Sequence, residues 1–432
     1  MTPPSKKRGP TAQLKEEAVL EEGICLELSP EEAASIEGNE TATGSGQEGP
    51  EGSTAGTLHG IDLPEEEPPP KKPLWESLLS GAIILLACGV LAGLGYVDYM
   101  LGKISRPEDV TVTVAEEVLE KELEEELAEA GAPNPDDPAI KVIDPEEINL
   151  RLASQIVKDK DVLNILLIGQ DTQENVSGTR SDSMILVTVR QKEKEIVLTS
   201  FMRDLYVDIP GYKANRINVA YTLGGTQLLD ETIEQNFGIH IDGNIAVDFT
   251  GFADCIDILG GVDMELTASE AGAINKELFK KQPSILNGTD PQADRWALVG
   301  GKRHLTGKEA LQYARIREID SDFNRTSRQR KLLSALFEKL KGIDLKTMNA
   351  LLTEALPLLT TDLPNQKLIG YGAGILLMQP VQIRTDRIPA DGTFKEAIVR
   401  RMQVLVPDLE ANQLHLKESL YGRDEEDEPD AG

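Results

Sequence analysis

Three short runs of branched apolar residues limit the folds that this chain can adopt. They are ILLIG at Ile165–Gly169, MILVTV at Met184–Val189 and IVLTSF at Ile196–Phe201, separated by polar turns. Runs of this length and composition are typical of β-strands. Because each run is apolar without alternation, we expect helices to cover both faces of the resulting sheet. The sequence therefore predicts an α/β fold, an α/β/α sandwich around a central sheet.

Helices are predicted between and after these strands. Their positions are residues 225–236, 251–259, 268–278 and 307–313, and a further helix carries Arg325. A capping-box pattern, Thr306 followed by Glu309, marks the start of the helix at 307–313. Farther on, the runs at 369–378 and 381–390 are predicted to be strands that complete the sheet. Residues 397–416 are predicted to form a closing helix.

The two ends of the chain have compositions typical of disordered segments. Residues 1–70 contain fifteen acidic and four basic side chains and no aromatic residue, and residues 417–432 end in an acidic run. Such segments bury too little apolar surface to offset the entropy lost on ordering. We therefore expect a disordered acidic tail at each end, the first one cytoplasmic.

An uncharged run from Ser77 to Val97 follows the first tail. About 20 apolar residues are needed to cross a bilayer, so the run predicts a transmembrane helix at 74–101. A buried helix of a soluble core is the alternative. A single span early in the chain favours a cytoplasmic N-terminus and an extracytoplasmic C-terminal domain at the cell membrane. The acidic residues 102–161 are then predicted to be a stalk, with a helix at 114–131.

Cysteine and histidine usage argues against two kinds of site. Cys255 is the one cysteine of the predicted outer domain, which therefore has no intrachain disulfide, and its apolar neighbours indicate a core residue. The four histidines are scattered, without the spacing of zinc ligands. A metal site in this domain would have to use carboxylates.

Basic residues are concentrated in one part of the chain. Between Trp296 and Lys341 there are eleven basic and five acidic side chains, in a chain of formal net charge −30. The planar guanidinium group of arginine matches phosphate oxygens in a bidentate way, so this concentration indicates an anionic ligand. A solvated helix face with surface ion pairs is the alternative interpretation.

The spacing of these residues predicts how they converge. Arg315 and Arg317 are two residues apart, which places both side chains on one side of an extended segment. Arg325, Arg328 and Gln329 fall at i, i+3 and i+4, so one helix would present them together. We therefore expect a loop and a helix to close on one anion.

Further polar residues lie at the ends of the predicted strands. Asp171 follows the first strand, Asp182 precedes the core of the second, and Arg203 and Asp204 follow the third. Ligand sites of α/β proteins lie at strand ends. Asp171 and Asp182 are hard oxygen ligands suited to Mg²⁺, or to Mn²⁺, beside a phosphate substrate. Taken singly, each aspartate is also a common turn or cap residue.

Several motifs occur together along the chain. In order they are NILLIGQD, RSDSM, TSFMRD, RINVAY followed by two glycines, LTGKEALQYARIR, and R-x-x-R-Q. In this order and spacing they resemble the LytR-CpsA-Psr (LCP) family of bacterial cell-envelope proteins. The resemblance covers residues 162–335, within an LCP-like domain that we expect to span 162–416.

The resemblance implies a phosphotransferase that moves a glycopolymer, of teichoic acid or capsule type, from a polyprenyl-pyrophosphate carrier to peptidoglycan. Asp171 and Asp182 match the magnesium-associated aspartates of the family. The residues that match its pyrophosphate-binding positions are Arg203, Arg216, Arg315, Arg317, Arg325 and Gln329. Arg216 falls where the family often has lysine. We expect Arg203, Arg315 and Arg317 to be catalytic, with Asp204 as the candidate that orients or deprotonates the attacking hydroxyl, or else an ion-pair partner of a neighbouring arginine.

Other functions stay open. A non-catalytic binder of polyprenyl pyrophosphate or wall polymer, or a pyrophosphatase, would use the same arginines. A membrane-tethered transcriptional attenuator would need a nucleic-acid module, but residues 1–70 are acidic and show no helix-turn-helix pattern, so we expect no nucleic acid partner.

The lipid tail needs an apolar tunnel, which we place around Ile233, Phe237, Phe252 and Leu259; core packing would also explain these residues.

Overall fold

The computed structural model describes most of the chain after the first tail. The described residues are 74–107, 140–171, 180–290, 292, 297–378 and 380–422, without the side chains of 74–87, 171, 180, 182, 376 and 377. The predicted tail at 1–70, most of the predicted tail at 417–432 and the predicted stalk helix at 114–131 lie outside the described residues.

A six-stranded mixed sheet forms the centre of the domain. Its strands, numbered in chain order and given in spatial order, are β10 (Leu359–Thr361), β7 (Gly243–Asp248), β2 (Val162–Asp171), β3 (Arg180–Arg190), β4 (Glu195–Phe201) and β11 (Gln382–Ile388). β3 runs antiparallel to both β2 and β4, whereas β7 and β11 run parallel to β2 and β4. The three strands predicted from the apolar runs are confirmed.

Helices precede the sheet and alternate with its strands. They are α1 (Leu74–Leu101), α2 (Ile217–Phe237), α3 (Phe249–Ile258), α4 (Ala268–Leu278), α5 (Pro283–Leu286), α6 (Gly307–Arg315), α7 (Asp322–Leu340), α8 (Leu345–Ala350), α9 (Asn365–Leu377) and α10 (Leu409–Tyr421). The predicted capping box at Thr306 and Glu309 is present at the start of α6. Gly224 and Gly225 have non-helical torsion angles and kink α2, with φ at Gly225 of 63°.

Alternate side chains of the strands give the sheet two covered faces. On the α2 face, Leu166 and Leu186 pack with Phe237 of α2 and with residues of α10. On the α7 face, Val187 packs with Leu333 of α7 and with residues of α9. The fold is therefore mixed α/β, with helices on both sides of the sheet as the sequence predicts.

Three smaller sheets complete the domain. They are β1 (Lys141–Val142) with β12 (Phe394–Val399) and β13 (Met402–Pro407), β5 (Tyr206–Val207) with β6 (Asn215–Arg216), and β8 (Val262–Leu266) with β9 (Gly301–Leu305). A separate apolar cluster, which includes Ile274, Tyr313 and Leu332, joins α4, α6 and α7. This cluster holds the elements that carry the predicted arginines.

The C-terminal part differs from its prediction in two places. Residues 369–378 are not a strand, because 365–377 form α9, whose Leu368 and Ile375 pack on the sheet. Residues 397–407 are not helical but belong to the β12–β13 hairpin, which turns at Arg400 and Arg401 with φ angles of 47° and 68°. The helix predicted at 397–416 therefore begins only at Leu409, and it extends through 417–421, which were predicted to be disordered.

Part of the predicted stalk packs on the domain. β1 pairs in parallel with β12, the N–H of Ala153 donates to the carbonyl of Gln235 at 2.8 Å, and Val157 forms a bridge with Ile239. Residues 140–161 are therefore not a solvated spacer, because their backbone groups and apolar side chains are used by the domain.

Helix α1 contains the predicted membrane span. No helix within the described residues is both long enough and apolar enough to cross a bilayer, so the span at 77–97 stays a prediction. Just beyond α1 the backbone joins the sheet. The N–H of Ser105 donates to the carbonyl of Leu359 at 3.1 Å, and the Ser105 carbonyl accepts from the N–H of Thr361 at 3.0 Å.

Candidate functional site

A cavity of about 500 Å³ lies on the α7 face of the sheet. Strands β2, β3 and β7 and helices α3, α6 and α7 contribute its lining. Its apolar lining includes Leu167, Ile185, Ile245, Phe252, Leu333 and Phe337. Its polar lining consists of Ser183, Asp248, Arg315, Arg317, Arg325 and Gln329. One chamber therefore joins a large apolar surface to a group of cations.

Arg315 and Arg317 lie at the end of α6 and just beyond it. The guanidinium carbon of Arg315 lies 4.4 Å from the ring centroid of Phe249, and both arginines are exposed. Ile316 between them is buried and has φ −56° and ψ 122°. The backbone is thus extended here, and the two arginines lie on the side opposite Ile316. Both arginines line the cavity, but Arg315 is the last residue of α6, so the predicted extended segment begins only at Ile316.

Arg328 holds this loop in place. Its Nη1 donates to the carbonyl of Ile316 at 2.9 Å, its Nε donates to Glu270 at 3.1 Å, and its Nη2 donates to Asp320. All three nitrogens therefore bond to the protein, and the side chain is buried. The prediction that Arg328 joins the ligand-facing set is wrong, because this residue points toward α4 and the loop.

Arg325 and Gln329 reach the cavity from α7. The Arg325 side chain is 2% exposed, with Nη1 and Nη2 at 2.8 and 3.0 Å from the Asp322 carboxylate. Gln329 accepts a hydrogen bond from Ser183 Oγ at 3.2 Å and donates to the carbonyl of Ala314 at 3.4 Å. Gln329 therefore links β3, α6 and α7 at the polar end of the cavity.

Arg203, Asp204 and Arg216 form an ion-pair cluster beside the cavity. The Asp204 carboxylate lies 3.5 Å from Arg203 Nε and 3.6 Å from Arg216 Nη1. None of the three lines the described cavity. Arg203 and Asp204 directly follow Met202, whose sulfur lies 3.6 Å from Thr326 Oγ1 of α7. The ion-pair alternative for Asp204 is observed, and this carboxylate holds two guanidinium groups in place.

The predicted metal ligands, Asp171 and Asp182, lie at one end of the β2–β3 pair. Asp171 is opposite Arg180, and a register shift after Gly169 leaves Asp182 as the extra residue of β3. Their side chains lie outside the described set. The described side chains contain no group of three histidine, cysteine or carboxylate residues that could hold a metal. The metal site therefore stays a prediction.

Sequence reasoning missed three residues of this site. Ser183 belongs to the RSDSM motif, but its bond to Gln329 depends on packing between distant elements. Asp248 is the last residue of β7, a strand that was not predicted, and Phe249 begins α3. Asp248 accepts from the N–H of Gly251 at 2.7 Å and so caps α3, which fixes Phe249 under Arg315.

Two of the four residues assigned to the predicted lipid tunnel line the cavity, and the tunnel's role stays a prediction. Phe252 and Leu259 line the cavity. Ile233 and Phe237 are fully buried in the core of the α2 face, so they lie on the other side of the sheet and cannot contribute.

Cys255 also lines the cavity. Burial is the main cause that raises the pKa of its thiol to about 11. The thiol is therefore protonated at neutral pH, when it is a poor nucleophile. Cys255 is half-buried in the cavity wall and is not the core residue that was predicted.

An apolar cavity that ends in arginines is the arrangement that an amphiphile with an anionic head group would require. The chain belongs to the LytR_cpsA_psr family, which residues 128–418 match. The predicted family resemblance is confirmed, and the match also includes residues N-terminal to β2.

Individual relatives are similar over part of their length. The chain is 34% identical over 188 residues to the polyisoprenyl-teichoic acid–peptidoglycan teichoic acid transferase TagT of Bacillus subtilis, which covers 43% of this chain and 54% of that protein. It is 31% identical over 244 residues to the regulatory protein MsrR of Staphylococcus aureus, a match that covers 56% of this chain and 68% of that protein. The solved structure "TagT bound to LIIa-WTA" is 27% identical with a TM-score of 0.49, covering 62% of this chain and 95% of that chain. The chain thus spans about half the length of the transferase.

Proposed function

We propose that this protein transfers a glycopolymer from a polyprenyl-pyrophosphate carrier to peptidoglycan. The observation that carries the proposal is the cavity, in which an apolar chamber of about 500 Å³ ends at Arg315, Arg317, Arg325 and Gln329. A polyprenyl chain requires such an apolar surface, and a pyrophosphate requires such a set of donors. Membership of the family and the similarity to a teichoic acid transferase support the same conclusion.

The reaction is a phosphoryl transfer. A sugar hydroxyl oxygen of peptidoglycan attacks the phosphorus nearest the glycopolymer, forming a new P–O bond. The bond from that phosphorus to the bridging oxygen breaks, and polyprenyl phosphate leaves. The hydroxyl proton passes to a base or to solvent. Such a transfer depends mainly on positioning and charge neutralisation, which arginines supply.

Each basic residue has a place in this scheme. Arg315 and Arg317 approach the phosphates from the loop after α6, and Arg325 and Gln329 approach from α7. Asp204 holds Arg203 and Arg216 beside them and so serves as a positioning residue. When bound by Asp171 and Asp182, Mg²⁺ would neutralise charge on the phosphate oxygens.

The membrane anchor is part of the proposal because the lipid carrier resides in a bilayer. Val90, Leu91 and Leu94 of α1 are exposed apolar side chains, which suits contact with lipid. Protease added to intact spheroplasts should remove the domain after Gly102 and spare the N-terminal segment. The opposite protection pattern would exclude an extracytoplasmic enzyme.

The central test separates transfer from binding and from hydrolysis. The purified full-length protein, a polyprenyl-pyrophosphate-linked polymer and peptidoglycan should yield polymer joined to peptidoglycan, together with polyprenyl monophosphate. Binding without product would indicate a non-catalytic binder. Release of free polymer phosphate that peptidoglycan does not affect would indicate a pyrophosphatase.

The metal assignment has its own test. Asp171→Asn combined with Asp182→Asn should lower both the transfer rate and its dependence on Mg²⁺, while circular dichroism shows a folded domain. If the double variant keeps the wild-type response to Mg²⁺, the two aspartates are strand-end caps and hold no metal.

A further inference from the structure

Arg330 is a buried cation that the proposed reaction does not use. It follows Gln329 on α7 but does not line the cavity. It is 8% exposed, and within the described part of the chain its Nε and Nη1 have no hydrogen-bond partner. Burying a charged group without a partner is costly. Folding alone gives no reason for an arginine here.

Arg387 of β11 adds a second cation at the same place. The pKa of Arg330 is lowered to about 10, first by burial and then by the charge of Arg387. The Arg387 guanidinium carbon lies 4.4 Å from the ring centroid of Phe323 on α7, so Arg387 points to the α7 face. Its carboxylate partner is Asp391, whose side chain is 97% exposed. Water screens such a pair, so Asp391 offsets little of the charge of the two cations.

The other nearby carboxylate is used elsewhere. Asp386 precedes Arg387 and therefore points to the opposite, α2 face of the sheet. There it accepts hydrogen bonds from Ser419 Oγ at 2.6 Å and from His415 Nε2 at 3.0 Å. Asp386 is thus hydrogen-bonded to α10, and its charge raises the pKa of Arg330 by less than burial and Arg387 lower it.

Ser200 supplies a third polar group on the α7 face. It is the register partner of Arg387 in the parallel β4–β11 pair, so both side chains lie on one face. Its Oγ is buried and, among the described residues, has no hydrogen-bond partner. Ser200 lies near the same end of the strands as Ser183, which contacts Gln329. Through Ser200, Arg387 is in register with Ile185 of β3, which lines the cavity two strands away at about 10 Å.

We propose that Ser200, Arg330 and Arg387 form a second anion site, which binds a phosphate group of the glycopolymer while the pyrophosphate occupies the cavity arginines. The inference rests on the proposed function. Two guanidinium groups and a hydroxyl offer the donors that a phosphodiester accepts. The site lies about 10 Å from the cavity lining, within reach of a polymer joined to the pyrophosphate. The site selects polymers that carry phosphate over neutral polymers.

The test uses the full-length protein and Arg330→Met, which keeps an apolar stem of similar length and removes the charge. Lys331→Met is the matched control, because Lys331 is the next residue of α7 and is exposed. The probe is a short phosphodiester-linked glycan without lipid, and a neutral glycan of equal length is its comparison. Calorimetry should show that the wild type and Lys331→Met both bind the charged glycan more tightly than the neutral glycan. Arg330→Met should lose about tenfold or more of that affinity.

Stability provides a second measurement. Arg330→Met should melt at or above the wild-type temperature, because it removes a buried charge whose Nε and Nη1 have no hydrogen-bond partner among the described residues. A lower melting temperature with unchanged glycan binding would make Arg330 a structural residue and overturn the proposal. If Arg330→Met loses equal affinity for the charged glycan and for a short polyprenyl pyrophosphate, Arg330 belongs to the pyrophosphate site. That result would also overturn the proposal.

Two further comparisons separate the possible sources of the signal. The first comparison uses inorganic phosphate as the probe. If it binds as tightly as the charged glycan, and Arg330→Met weakens both to the same extent, free phosphate is the ligand and the polymer is excluded. Failure of the wild type to transfer any polymer would refute the proposed function. Glycan binding would still decide the second anion site in that case, because it requires neither lipid nor turnover.

Discussion

The α2 face and the α7 face of the sheet are built from alternate residues of the same strands, but the first covers a closely packed core and the second borders a cavity. On the α2 face the rings of Phe201 and Phe237 lie 5.3 Å apart, and both side chains are almost fully buried. On the α7 face, Leu333 and Phe337 cover the strands and also line a cavity. Close packing on one face can therefore support an open chamber on the other.

This division separates core packing from cavity lining within one strand, as β3 shows. Leu186 packs on the α2 face, and the adjacent Ile185 lines the cavity. A strand can therefore vary its binding surface at every second residue without changing its core. The same division predicts that substitutions on the two faces have different effects, and four predictions test it.

The largest expected effect concerns Asp230, on the α2 side of the sheet. Its carboxylate accepts from Asn244 Nδ2 at 2.7 Å, and burial, followed by repulsion from Asp362, raises its pKa to about 8. The folded protein thus keeps a proton that the unfolded chain loses near pH 4. The stability from this group is present below that pH and is lost as the pH rises through 8, by up to about 1.4 kcal/mol per pH unit.

The change to test is Asp230→Asn, which stays neutral. It should flatten the dependence of the free energy of unfolding on pH between pH 5 and 8, measured by denaturant titration. Asp254→Asn, at an exposed carboxylate, is the control and should follow the wild type. A variant profile parallel to that of the wild type would contradict the proton linkage.

The second prediction compares two phenylalanines. Phe237→Ala leaves a hole in the packed α2 face and should lower the free energy of unfolding by about 3–5 kcal/mol. Phe252→Ala enlarges a cavity that already exists, so it should cost much less stability and mainly weaken binding of a polyprenyl lipid. Urea unfolding and lipid binding measure the two effects. Equal stability losses would show that the chamber is as well packed as the α2 face.

The third prediction compares two arginines of the basic region. Arg328→Ala removes the partner of Glu270 and of the Ile316 carbonyl and should cost about 2 kcal/mol of stability. Arg315→Ala should change stability by less than about 1 kcal/mol, because the side chain is exposed. It should nevertheless lower polymer transfer by tenfold or more if it contacts the pyrophosphate. Similar melting temperatures for the two variants would argue against the structural role of Arg328.

The smallest effect is expected at the β12–β13 hairpin. Arg400→Asn with Arg401→Gly places residues that tolerate positive φ at both turn positions, and should stabilise the fold by about 1 kcal/mol. Thermal unfolding measures the gain, and polymer transfer should not change because the hairpin does not contribute to the cavity. A loss of stability would mean that the two arginines make contacts more valuable than the relief of strain.

The hairpin also shows where the sequence was insufficient. Two-residue turns with positive φ normally carry Asn or Gly, and two arginines inside an apolar segment instead suggest a continuous helix. Helix α9 is a different case. Leu368, Tyr371 and Ile375 recur at helical spacing and pack on the sheet, so its period was present in the sequence but was obscured by three glycines.

The site was predictable where local spacing sets geometry. The two-residue interval of Arg315 and Arg317 defined their common side without knowledge of the fold. By contrast, Arg325, Arg328 and Arg330 lie on one helix yet have three different environments. Those environments depend on α4, on the loop after α6 and on β11, which come from distant parts of the chain. Helical spacing alone could not distinguish among them.

The backbone pairing of Ser105 with Leu359 and Thr361 has a mechanical consequence. Leu359 also lines the cavity, so one residue of β10 is shared by the chamber and by the connection to α1. Arg106 strengthens this connection, because its Nη1 donates to the carbonyl of Thr361 at 3.1 Å. A flexible linker would let the domain rotate freely about the helix. A hydrogen-bonded connection instead restricts this rotation, so the direction in which the chamber faces depends on the orientation of α1.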